Sequence, residues 1–182
     1  MIRSAFVAAL VAAAGSAGAE VYRDTAVAMQ PVGQLDLDRY LGKWYEIARF
    51  PNSFETGCQG VTAEYALRGD GKVRVVNTCH TGAVDGPVKQ ARGLARVVAP
   101  GRLEVSFVPW LSFLPFLWGD YWILDVTPDY SVAVVGTPAG RTGWILARAP
   151  RIAPARFEAA LQVLRDNGYD TGALIRVPQP GG

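Results

Sequence analysis

Between Trp44 and Arg148 the chain is a succession of short runs, apolar or alternating apolar and polar, each cut off by turn-forming residues. Alternation with period two places successive side chains on opposite faces, which is the geometry of a half-buried strand and not of a helix. Val61, Ala63, Tyr65 and Leu67, for example, interleave with Thr62, Glu64 and Arg68. The turn Arg68-Gly69-Asp70-Gly71 follows, where Asp-Gly tolerates the positive φ angles of a tight hairpin. Its RGD triplet is read as that turn and not as an adhesion signal. Val73, Val75 and Asn77 return along the same inner face. Further runs cover Trp44 to Phe50, Val88 to Val98, Leu103 to Val108, Tyr121 to Val126, Ser131 to Gly136 and Gly143 to Arg148. About eight strands result, the number whose closed barrel leaves room for one small ligand.

A single amphipathic helix is predicted after the strands. Pro154 suits a first helical position, Phe157, Ala160, Leu161 and Leu164 recur at helical spacing, and Gly168 can end it. It is expected to pack on the outside of the barrel, with Leu174 to Val177 adding a last short strand.

The first residues read as an export signal. Arg3 precedes an apolar run, Ala5 to Ala14, that is too short to span a bilayer. Ala17-Gly18-Ala19 supplies the small-residue cleavage pattern, so 1–19 is assigned as signal peptide with cleavage before Glu20. No cysteine lies near that point, which disfavours a lipid-anchoring signal, and the mature chain is expected to be soluble. Export bears on Cys58 and Cys79, the chain's 2 cysteines. An oxidising compartment favours one disulfide, and the Val61 to Asn77 hairpin brings the two near each other. A pair of free thiols is the alternative.

Composition narrows the functional classes. Eighteen Lys and Arg stand against 16 Asp and Glu, scattered along the chain, which leaves no footprint for nucleic acid. His80 is the only histidine, with no serine nucleophile marked beside it, and it is read as a turn residue. Zinc and calcium spacings are absent, so neither metal nor cofactor is expected. Inward alternation instead points Val61, Ala63, Tyr65, Val75, Phe107 and one face of Tyr121 to Leu124, Tyr121 and Trp122 being named for it, at a common apolar cavity. A solidly filled core is the competing arrangement. Glu46 shares the inward phase of Trp44 and Ala48, where its carboxyl either meets a ligand head or bonds to backbone. Phe107 to Trp118 is the most unusual stretch, with two prolines among aromatics. Trp110, Leu111, Phe113, Leu114 and Phe116 are its candidate membrane-contact residues, unless the loop folds inward as a lid.

Three motifs in order carry a resemblance. Gly42-Lys43-Trp44, preceded by a short helical turn at Leu37 to Leu41, resembles the opening strand of lipocalins. Pro128-Asp129-Tyr130 before Ala133 to Gly136 resembles the second motif of that family, and Trp144-Ile145-Leu146-Ala147-Arg148 the third. Asn52-Ser53-Phe54-Glu55 is similar to a loop of its bacterial branch. The resemblance implies an eight-stranded antiparallel up-and-down barrel over 35–178, with 20–34 as an N-terminal extension and 179–182 as a tail. It also implies that the Arg148 guanidinium lies across the Trp44 indole at the closed end, with Gly42, Trp44 and Arg148 structural. The function implied is a periplasmic carrier of fatty acids or lysophospholipids in membrane maintenance under stress, associated with the outer membrane, as monomer or dimer. Its rival is a thiol-dependent lipid isomerase using Cys58, as some lipocalins catalyse with a cysteine in this region. A third reading is an interaction protein that uses the apolar loop alone.

Overall fold

The computed structural model describes residues 20–181, so the expected signal peptide lies outside the described residues. A one-turn helix α1 (Leu37–Tyr40) leads into β1 (Gly42–Arg49), β2 (Cys58–Leu67), β3 (Val73–Thr81), β4 (Val88–Ala99), β5 (Arg102–Ser106), β6 (Gly119–Val126), β7 (Val132–Gly136) and β8 (Gly143–Ala147). Each strand pairs antiparallel with the next, β8 pairs back onto β1, and β1 onto β2, so the sheet closes into an eight-stranded barrel. The helix α2 (Pro154–Asp166) and the short β9 (Ile175–Arg176) follow. Pro154 opens α2 as predicted, and Arg68 and Asp70 of the RGD turn pair with each other 3.2 Å apart at the surface.

Two apolar layers share the barrel wall. Inside, Trp44, Tyr65, Val73, Val75, Ala95, Leu103, Ile123, Val135 and Leu146 pack together. Outside, Ile47, Ala48, Phe50, Leu124, Val134 and Ile145 meet Ala160 and Leu164 of α2. This explains why β7 is buried at every position: Ala133 and Val135 point inward, Val132 and Val134 toward the helix side. A strand covered on both faces reads in sequence as a continuous apolar run.

The expected inward phase of Ala48 is corrected by a bulge. Glu46 pairs opposite Leu146 but Ala48 opposite Ile145, so Ile47 is the extra residue. Phase therefore flips, Ala48 joins the layer under α2, and Arg49 comes to lie opposite Trp144.

Both flanks of the barrel domain are bound into the fold. Tyr22 stacks on Phe50 and Phe50 on Tyr169, each at 5.0 Å between ring centroids. Arg23 is buried, its guanidinium donating to the carbonyls of Asn167 at 2.7 Å, Pro138 at 3.0 Å and Val27. At the other flank the chain after β9 fills the gap where β1 and β2 diverge. The Val177 amide donates to the Ile47 carbonyl and the Gly60 amide to that of Pro178. Gln179 Nε2 then donates to the carbonyls of Glu46 (2.7 Å) and Val61 (3.0 Å), one on each strand.

Candidate ligand-binding cavity

The barrel interior is open at the end that carries the β1–β2, β5–β6 and β7–β8 loops. A cavity of about 240 Å³ lies there, lined by Val61, Ala63 and Tyr65 from β2, Val75 and Asn77 from β3, Val105 and Phe107, Tyr121 from β6, and Trp144 and Leu146 from β8. Glu46, Phe54 and Glu55 complete one wall. Six of the seven residues named from alternation thus fall on one surface. Trp122 does not: the Arg102 guanidinium lies 4.4 Å over its ring, and it packs against the layer outside the barrel. Neighbours in a strand point to opposite faces, so Tyr121 and Trp122 cannot both look inward.

The floor is aromatic and neutral. The Tyr121 hydroxyl lies 2.9 Å from those of both Tyr40 and Tyr65. Burial pushes the Tyr65 hydroxyl up to about 12 and those of Tyr40 and Tyr121 well above the ordinary phenol value, so none is a base near neutral pH. Beneath them the Arg148 guanidinium lies 3.9 Å from the centroid of the Trp44 indole. Its Nη1 donates to the Lys43 carbonyl at 2.8 Å, and Nη2 to those of Arg39 (2.6 Å), Tyr40 (3.2 Å) and Leu41 (2.8 Å). One planar side chain thereby satisfies the carbonyls that α1 leaves over and seals the barrel base. Gly42, with φ +92°, makes the close turn between α1 and β1; a Cβ there would sit 3.4 Å from Arg148 Nη1.

The bulge at Ile47 builds the one buried charged cluster of the wall. Arg49 Nη1 donates to Glu46 Oε1 at 2.8 Å, and Nη2 to the carbonyls of Glu55 (3.0 Å) and Cys58 (3.1 Å). Trp144 Nε1 donates to the Glu55 carboxylate at 3.2 Å, and the Asn52 amide donates there too. Burial, then the charge and hydrogen bond of Glu55, raise the Glu46 carboxyl well above its ordinary range against the opposing pull of Arg49. Glu46 lines the cavity, and its carboxyl is held by the Arg49 side chain and not by the backbone bond that was one expectation for it. Alternation missed Arg49 because the bulge moves it, and missed Glu55 because it lies on the Ser53–Glu55 turn, not a strand.

The Phe107 to Trp118 loop does not fold inward over the cavity, and Phe107 alone of it reaches the lining. Two short turns, Pro109–Leu111 and Pro115–Leu117, stand at the mouth. Trp110, Phe113 and Phe116 are 72%, 73% and 78% exposed, while Leu111 and Leu114 are half-buried. The Trp118 indole donates to the Ser112 carbonyl at 2.8 Å and lies under the Arg96 guanidinium, which anchors the loop to β4.

Cys58 and Cys79 form a disulfide. The isomerase reading loses its nucleophile, because a thiolate attacks and a bonded sulfur does not. His80 lies on β3, half-buried, with Nδ1 3.2 Å from the Gly86 carbonyl, and not in the turn expected for it. Among the described residues no group of His, Cys, Asp and Glu side chains is placed to hold a metal ion.

A closed antiparallel barrel, sealed by a stacked arginine at one end and open over an apolar cavity at the other, defines a calyx-type binding fold. The family description of the lipocalin-like domain matches residues 35–179, and the chain belongs to the lipocalin family, with bacterial Blc-like lipocalins among its relatives. It is 37% identical over 155 residues to the outer membrane lipoprotein Blc of Vibrio cholerae, covering 83% of this chain and 86% of that one. To the protein of the same name from Escherichia coli K12 it is 40% identical over 153 residues, 82% of each. Among solved structures, lobster apocrustacyanin A1 superposes with a TM-score of 0.65 at 16% identity, over 80% of this chain and 81% of the other, a likeness of fold alone.

Proposed function

We propose that the protein carries a single-chain lipid, a fatty acid or lysophospholipid, in this cavity, within the periplasm and at the outer membrane. The observation that carries the proposal is the apolar cavity itself, open at one end and about 240 Å³ in volume. Ligand pockets commonly span about 300–1,000 Å³, so a volume below that range suits one acyl chain and not two. Each methylene buried contributes roughly 0.8 kcal/mol, which gives a medium-length chain useful affinity without any polar contact. Relatives named outer membrane lipoprotein support the location, and lipocalins are mainly binding proteins, which supports carriage over catalysis.

The aromatic rim supports loading at a membrane surface, since Trp110, Phe113 and Phe116 project beside the mouth that the ligand must pass. Native mass spectrometry of the protein recovered from periplasm tests carriage: bound lipid is expected. Protein that arrives empty and also ignores a panel of single-chain lipids overturns the proposal. Liposome flotation tests docking, and a Trp110→Ser, Phe113→Ser variant that floats like the wild type removes the rim from the account.

A further inference from the structure

The tyrosines of the cavity floor carry one more hydrogen than they have bonds to use it. Each phenol hydroxyl is a single donor, so Tyr40, Tyr65 and Tyr121 bring three O–H groups. They make two hydrogen bonds, Tyr40 with Tyr121 and Tyr65 with Tyr121, and among the described residues these hydroxyls reach no other partner. Each bond consumes one hydrogen. Whichever way the chain of bonds runs, one O–H is left without an acceptor.

Burial decides where that hydrogen matters. On Tyr40 it would lie in the packed layer, where the ring meets those of Trp44 and Tyr65 and the residue is 1% exposed. An unpaired donor costs most in such a place. The other two arrangements put the hydrogen on Tyr65 or Tyr121, both of which line the cavity. Tyr65 is itself 7% exposed, so a donor there has the cavity as its outlet.

We infer that the cavity floor is a subsite for one neutral oxygen acceptor, a carbonyl or a hydroxyl, so that the single-chain lipid enters polar end first and leaves its tail toward the mouth. This rests on the carrier reading and narrows it. No Lys, Arg or His belongs to the lining, so an anionic head meets no cation there. An ionised carboxylate would exchange its hydration for one phenol, and a phosphate would give up still more. A fatty acid therefore binds as the neutral acid, its carbonyl taking the free hydrogen. Lysophospholipids, whose heads stay in water, do not use this floor.

Methyl hexyl ketone and octane share one chain length and differ by a carbonyl oxygen, and displacement of the neutral dye phenylnaphthylamine gives the affinity of each. The triple variant Tyr40→Phe, Tyr65→Phe, Tyr121→Phe keeps every ring and removes every hydroxyl. In it the ratio of ketone to octane affinity should fall roughly five- to thirtyfold, the range that pairing one buried hydroxyl supplies. A crystal structure of the wild type with the ketone needs no variant, and holds even if the triple variant folds poorly. Its oxygen is expected within hydrogen-bond distance of the Tyr65 or Tyr121 hydroxyl. An oxygen found at the mouth, or an unchanged ratio in the variant, overturns the floor subsite and leaves the carrier reading standing. If the wild type binds neither compound, both fall together.

Discussion

Replacing Arg148 with lysine separates the barrel seal from the cavity it closes. The guanidinium stacks 3.9 Å from the Trp44 centroid while donating to the carbonyls of Arg39, Tyr40, Leu41 and Lys43. An ammonium is a compact point charge with three tetrahedral donors. It cannot lie flat on the indole and reach four carbonyls from that plane. The stack is worth about 0.5–2 kcal/mol, and two carbonyl bonds lost cost roughly 1 kcal/mol each. Partial exposure of the group reduces both contributions, leaving a loss of about 2–3 kcal/mol. For a chain of this size, 1 kcal/mol shifts Tm by roughly 2–4 °C, so Arg148→Lys should melt about 5–10 °C lower. Ligand affinity should change little, because Trp44 and Arg148 lie beneath the tyrosine floor and outside the cavity lining. Circular dichroism melts together with lipid titration give both quantities. A large loss of affinity with unchanged melting would refute the reasoning, since it would place Arg148 in the binding site.

Three further perturbations follow from the geometry. Glu46 has a higher pKa folded than its ordinary 4.5, so the folded chain holds the proton that the unfolded chain releases, and stability falls as pH rises from about 4.5 toward the raised value. Glu46→Gln should remove that decline, gaining on the wild type in paired melts between pH 5 and 8; a difference independent of pH would contradict it. Reducing the Cys58–Cys79 bond, which spans 21 residues of sequence, should cost roughly 3 kcal/mol in denaturant titration, while thiol reagents should leave the unreduced protein unlabelled. Gly140→Ala places a side chain at φ +67° with its Cβ 2.4 Å from that of Arg23, so a loss of at least about 1–2 kcal/mol is expected from the backbone conformation alone. Limited proteolysis should then cut within residues 20–30 faster than in the wild type, and equal rates would show that the segment around Arg23 is not held there.

Most of the fold was legible because strands covered by water on one face announce themselves by period two. The Asp-Gly turn and the Val61 to Leu67 alternation placed β2 and β3, and with them the proximity of Cys58 to Cys79. The cavity lining was legible wherever strict alternation holds, as at Val61, Ala63 and Tyr65. Trp122 was misplaced although alternation itself excluded it once Tyr121 was inward. The cluster of Glu46, Arg49 and Glu55 was harder to see. A bulge adds one residue without leaving a mark in composition, so nothing near Ile47 announced that Arg49 would turn toward Glu46. Glu55 reaches the wall from a loop, where no periodicity operates. Tyr22, Arg23 and Gln179 escaped notice for a related reason: each docks through a few individual contacts, and single contacts have no repeat.

Gln179 has a kinetic consequence. Its amide bonds to Glu46 and Val61 span sequence separations of 133 and 118, so β1 and β2 are joined along this seam only when the last part of the chain arrives. Contacts that distant slow folding, because the entropy of closing the intervening loop is lost before the contact returns anything. Without Val177 to Gln179 the barrel stays closed by the pairing of Gly42 to Tyr45 with β2, but the carbonyls of Glu46, Ile47 and Val61 and the amide of Gly60 lose these partners, so the upper part of this seam is the last of the barrel to be fixed.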